Sequence, residues 1–271
     1  MLTKLLEHEW KSNWKVPTRL IGILLLLALL TGATFAVPVW EENMLALGML
    51  IAFIWMTFYL GIIGVSLGIS IYLAVRFYKS MYTDEGYLTH TLPVTARQLL
   101  LAKGIHMAIW NCLTTLAIVV SFMICGGMIV LFLNPLRAEM MEIWRELQLR
   151  WRELVGFDTI SFICSIIFMG IAGIIYGTTM VMGSVSIGQN LTKHKILGSI
   201  GAYFALNTIV SMISMVAIIP AMILQISNLD RYNPFTNMSI MYWIFGIVYV
   251  AISVGLYFIS EYMTKKKLNL D

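Results

Sequence analysis

Apolar residues in this chain run on in blocks of twenty or more, broken by short clusters of charge, and seldom form the narrow stripe of a half-buried surface helix. A helix rises about 1.5 Å per residue, so about 20 apolar residues cross the hydrocarbon core of a bilayer. Six blocks meet that length: Thr18 to Val37, Met44 to Val75, Lys103 to Leu133, Thr159 to Ile187, Ile196 to Ile226 and Ser239 to Tyr262. The pattern predicts an all-α, polytopic membrane protein with six transmembrane helices. Several blocks exceed the minimum and must tilt or project past the headgroups.

Two other stretches carry a true helical stripe. Leu2, Leu6, Trp10 and Trp14 recur every four residues with Leu5 beside them, while Lys4, Glu7, His8, Lys11 and Lys15 take other faces. This predicts an amphipathic helix over residues 1–16 lying in the membrane interface, its tryptophans at headgroup depth. Pro17 then starts the first span as a new helix. Between spans three and four, Met140, Ile143, Trp144, Leu147, Trp151, Leu154 and Val155 share one face of a helix predicted over about 137–155. That helix is expected to rest on the outer leaflet or to cap the outer mouth of the spans.

Composition sharpens the picture. With 59% apolar and 12% charged residues, the chain holds more apolar side chain than one water-soluble core of this size buries. Its net charge of +4 lies in blocks between apolar runs and forms no stripe, so no nucleic-acid partner is expected. The blocks report topology instead, because cytoplasmic loops retain Lys and Arg. With both ends inside, the inner segments hold Lys4, Lys11, Lys15, Arg19, Arg76, Lys79, Arg97, Lys103, Lys193, Lys195 and Lys265 to Lys267. The outer ones hold Arg137, Arg145, Arg150, Arg152 and Arg231 among a larger number of acids. The expected location is the plasma membrane, multi-pass, with both termini cytoplasmic. No small-residue cleavage site follows the first apolar block, which is expected to stay as an anchor.

Candidate chemistry inside the spans is sparse. No phosphate loop G-x-x-x-x-G-K-[ST], no H-E-x-x-H and no G-x-S-x-G occurs, so neither ATP hydrolysis of the phosphate-loop kind nor another enzyme activity is expected of this chain. His8, His90, His106 and His194 are scattered, and no metal site is expected. The three cysteines, Cys112, Cys125 and Cys164, lie in apolar runs without ligand spacing and are expected to be small buried packing residues. Gly61, Gly64 and Gly68, then Gly170, Gly173 and Gly177, and Gly198 with Gly201 are expected to be faces where helices approach closely. Asn111 and Asn207 are the most notable polar side chains within spans; interhelical hydrogen bonding is the plainer role, and substrate contact the alternative.

The segment over about 78–95, between spans two and three, is of another kind. It mixes charged, aromatic and apolar residues, as a short helix held against the membrane does when one face is exposed to a protein partner. The order Glu85-Gly86, Leu88, Thr91, Pro93-Val94-Thr95, Arg97, Leu99 and Lys103 resembles the cytoplasmic coupling segment of type-two ATP-binding-cassette exporter permeases, including the ten-residue step from Pro93 to Lys103. Gly86 and Pro93 stand closer together than in commoner members, which points to a bacterial sub-branch. The residue-level likeness covers about a tenth of the chain.

That resemblance implies a permease subunit that exports an amphipathic peptide, antibiotic or lipid-like molecule. It pairs with a second permease subunit, identical or related, and couples to separate ABC-type ATPase subunits that carry ATP and magnesium. It also implies a coupling helix in which Asp84 and Glu85 face basic groove residues of the ATPase. Met81, Tyr82, Gly86, Tyr87, Leu88 and Pro93 complete that contact set. The alternative from another class is a membrane scaffold or sensor that transports nothing.

Overall fold

The computed structural model describes residues 2–36, 45–83, 85–86, 95–132, 134–149, 157–191, 194–227 and 234–266. Its regular elements among these residues are all helical. They are α1 (Leu2–Asn13), α2 (Lys15–Ala33, tightening into a 3₁₀ turn Thr34–Ala36), α3 (Leu45–Tyr82), α4 (Ala96–Phe132), α5 (Asn134–Leu149), α6 (Phe157–Gly188), α7 (Lys195–Ser227) and α8 (Pro234–Lys266). Six of them, α2, α3, α4, α6, α7 and α8, are long and apolar enough to cross a membrane. Their apolar side chains are largely uncovered by protein, with Phe53, Met123 and Met215 each about 70% exposed or more. Surface of that kind is stable against lipid, not water.

The chain bends at Trp14, and α2 begins one residue later with Pro17 in its first turn, where a missing N–H leaves no bond unmade. The two longest helices run past the apolar blocks that announce them. α3 continues through Arg76 and Lys79 to Tyr82, and α4 begins at Ala96 instead of Lys103. At 38 residues, α3 is about 57 Å long against a hydrocarbon core of about 30 Å. What extends it is a buried stripe at four-residue spacing, Leu73, Phe77 and Met81, which outlasts the apolar run.

The chain forms two compact units. One comprises residues 8–72 and 109–151. In it, Gly61 and Gly68 of α3, seven residues apart, face Leu27 and Leu20 of α2, also seven apart. Phe58 meets Phe122 edge to face at 6.1 Å, and Trp10 stacks on Trp110 at 4.9 Å. The Tyr72 hydroxyl donates to Asn13 Oδ1 at 3.4 Å. The stripe Met140, Ile143 and Trp144 of α5 is exposed.

The other unit comprises residues 1–7, 73–108 and 152–271. Here α6, α7 and α8 pack on one another, with α6 and α8 running parallel and in step. Ser161 bonds Ser239 at 3.0 Å near their starts. Phe168 stacks on Trp243 at 4.8 Å, and Tyr176 on Tyr249 at 4.6 Å, further along. Where α6 turns into α7, a Cβ on Gly188 would collide with the Ser199 backbone nitrogen.

Two expectations change. Of the glycine faces, Gly64, Gly170, Gly173, Gly177 and Gly201 have nothing within 4 Å of a built Cβ, so they make no close helix contact among the described residues. Of the cysteines, Cys125 alone is buried, its thiol directed at the Ala28 carbonyl at 3.5 Å, whereas Cys112 is half-buried and Cys164 exposed. Helical phase decides both, because these residues lie on helix sides turned away from the closest contacts among the described residues. Gly188→Ala is expected to destabilise the solubilised protein by about 1–3 kcal/mol through backbone displacement. Gly170→Ala is expected to be neutral or stabilising by up to about 1 kcal/mol. Thermal unfolding of both variants in detergent checks the contrast.

Candidate functional site

The two roots of the α3 to α4 connection are tied into the ends of α6 and α8. Tyr82, the last residue of α3, is fully buried, with its ring edge-on to Phe77 at 6.1 Å. Its hydroxyl lies 2.9 Å from Ser186 Oγ of α6 and 3.3 Å from Thr264 Oγ1 of α8. Thr264 already donates its hydroxyl hydrogen to the Ser260 carbonyl at 2.8 Å. Tyr82 must therefore donate to Thr264 and accept from Ser186, which sets one direction for a chain of bonds through three helix ends.

Beside this chain, Lys103 of α4 is buried and donates to Ser80 Oγ of α3 at 2.8 Å. A buried ammonium is costly without such acceptors, and it fixes the first two turns of α4 against the last turn of α3. Glu261 of α8 is almost wholly covered, and its Oε1 accepts from Arg97 Nε of α4 at 2.5 Å and from Lys265 one turn on. Gln189, three residues after Ser186, is fully buried, and its side-chain amide has no hydrogen-bond partner among the described residues.

The start of α4 is fixed locally as well. The Thr95 N–H donates to Gln98 Oε1 at 3.2 Å, and the Gln98 N–H donates to Thr95 Oγ1 at 3.3 Å. This is a capping box, T-x-x-Q, which satisfies two helix-end groups reciprocally. The Pro93-Val94-Thr95 step of the sequence thus ends on the residue that caps α4. The T-x-x-Q spacing is legible in the sequence and identifies Ala96 as the helix start, a signal the apolar-block reading passes over.

The sequence-derived contact set divides. Met81 and Tyr82 have no exposed surface, so in this conformation their side chains pack this chain's own interior and offer none to a partner. Glu85 is exposed and pairs with Arg76 at 3.1 Å. Gly86 is buried, and its N–H bonds the Thr83 carbonyl at 2.7 Å. Asp84, Tyr87, Leu88 and Pro93 lie outside the described residues. Asn111 is half-buried in the unit containing α2, and Asn207 is exposed on α7 in the other. Ser186, Glu261 and Thr264 join the site only through the fold, since they are distant in sequence and ordinary in type, whereas Ser80 and Arg97 flank the connection itself.

No family model, curated protein or solved structure matches this chain.

Tyr82→Phe, which deletes the central hydroxyl and keeps the ring, is expected to cost about 1–3 kcal/mol. Tyr82→Ala, which also empties the space, is expected to cost about 3–5 kcal/mol. Unfolding midpoints of the solubilised protein check the order, and a Tyr82→Phe variant as stable as the parent would show that the hydroxyl chain carries no weight.

Proposed function

We propose that this chain is the membrane-spanning permease subunit of an ATP-driven exporter of the type-two ATP-binding-cassette kind. Its substrate is an amphipathic peptide, antibiotic or lipid-like molecule. ATP and magnesium belong to separate ATPase subunits, and a second permease subunit completes the transporter. The α3 to α4 connection faces the cytoplasm of the plasma membrane, with both termini on the same side and α1 in the inner interface.

One observation carries the reading: each root of the connection is bonded to helices that cross the chain's apolar region. At one root Tyr82 ties the end of α3 to α6 and α8, and at the other Arg97 ties the capped start of α4 to α8. A force that reaches either root is therefore carried into α6 and α8 through short bonds between helix ends. With Asp84, the exposed carboxylate of Glu85, partly neutralised by Arg76, is offered to a basic groove of the ATPase.

The test separates a partner contact from an internal ion pair. Purification of the tagged chain in mild detergent is expected to bring down a cassette ATPase in stoichiometric amount. Glu85→Arg is expected to reduce substrate-stimulated ATP turnover severalfold while the chain still folds. The double variant Arg76→Glu with Glu85→Arg restores the internal pair and is expected to stay uncoupled. Recovery of turnover in the double variant would assign Glu85 to the pair alone. A chain that comes out with no ATPase under several mild conditions would point to the scaffold or sensor.

A further inference from the structure

On the flank of the same unit, α4, α6 and α8 enclose an open groove of about 460 Å³. That volume lies within the range of about 300–1,000 Å³ typical of small-molecule sites. Its hollow comes from small side chains on facing helices, Gly104 and Ala108 of α4 and Ser253 of α8, with Met182 of α6 as floor beneath Gly104. Of the hydroxyls that line it, those of Thr178 and Thr179 bond carbonyls of their own helix, as does that of Ser253, and the fourth belongs to Tyr257, one turn before Glu261. Apart from the Tyr257 phenol, the walls therefore offer hydrocarbon.

One end of the groove is charged. Arg97 stands one turn before Leu101 on α4, and Glu261 one turn after Tyr257 on α8, so their ion pair crosses the end as a rung. Lys265 adds a second cation to the same carboxylate. The Arg97 and Lys265 side chains are 62% and 46% exposed, and the cluster carries one positive charge in excess. From Arg97 to Ala108 is eleven residues, or about 16 Å along α4, close to half of the roughly 30 Å hydrocarbon thickness.

The geometry points to a bound anionic phospholipid, one acyl chain in the α4/α6/α8 groove and its headgroup phosphate on Arg97 and Lys265. A leaflet-deep apolar slot ending in excess positive charge matches the shape and charge of one such lipid. Basic pockets between membrane helices on the cytoplasmic side hold anionic headgroups for the same reason. The site stands independently of export, since it uses neither Glu85 nor an ATPase.

Native mass spectrometry of the full chain in neutral detergent, titrated with dioleoylphosphatidylglycerol and separately with dioleoylphosphatidylcholine, tests it. The first phosphatidylglycerol is expected to bind at least about fivefold more tightly than phosphatidylcholine, the effect of one basic residue near a lipid surface. Lys265→Gln, which keeps the Arg97 to Glu261 bond, is expected to lose about that factor for phosphatidylglycerol and none for phosphatidylcholine. Ala108→Phe, which fills the groove, is expected to lose the first site for both lipids. Ile105→Trp serves the same purpose should Ala108→Phe fail to fold. Equal affinity of the parent chain for the two lipids would overturn the proposal, and so would a folded groove variant that binds as the parent does. A groove variant that changes the oligomeric mass at unchanged lipid occupancy would give the groove to a second copy and also overturn it.

Discussion

The Tyr82 hydroxyl, held between Ser186 and Thr264, is the joint on which the rest of this unit depends. Around it a polar side chain at the end of a long apolar helix must find partners in protein, because few waters reach a fully buried phenol. Three helices meet that demand together: α3 supplies the phenol, α6 one hydroxyl, and α8 another that is already committed to its own backbone. Lys103 with Ser80, and Glu261 with Arg97 and Lys265, repeat the arrangement with charge. Ends that could fray are stitched by side chains, and the parallel course of α6 and α8 brings their final turns to the same level.

Much of the architecture was open to a reader of the sequence. In lipid every backbone bond must be made within the segment, so a long apolar run leaves the helix as its only simple outcome. The six blocks accordingly became six long helices. The places where the reading stopped short share a cause: it measured apolar length and not helical phase. The stripe Leu73, Phe77, Met81 continues α3 through two charged residues, and the Thr95 cap begins α4 earlier than its apolar run does. Gly170, Gly173 and Gly177 form a good small-residue ladder in sequence, but the phase of α6 brings no described neighbour close to it.

The connection between α3 and α4 was the most informative stretch and also the least determined by pattern alone. Its acidic and aromatic residues attracted notice, yet Tyr82 faces inward and Glu85 outward, three residues apart. Hydrophobicity does not separate such cases, since an amphipathic phenol suits an exposed contact and a buried bond equally. What decided it was the presence of hydroxyls at the ends of α6 and α8, more than a hundred residues away in the case of Ser186. Long-range polar complementarity of that sort leaves no local signature.

The capping box at Thr95 and Gln98 has a consequence for how this chain tolerates change in length. A cap that satisfies itself from within four consecutive residues keeps its register whatever precedes it. Upstream, the Thr83 hydroxyl closes α3 on the Lys79 carbonyl, and the Thr83 carbonyl accepts from the Gly86 N–H. A residue gained or lost upstream of Thr95 leaves the two bonds of this cap as they are. The buried face of α4, with Leu99, Leu100 and Lys103, is thus phased from Thr95 onward and not from the end of α3.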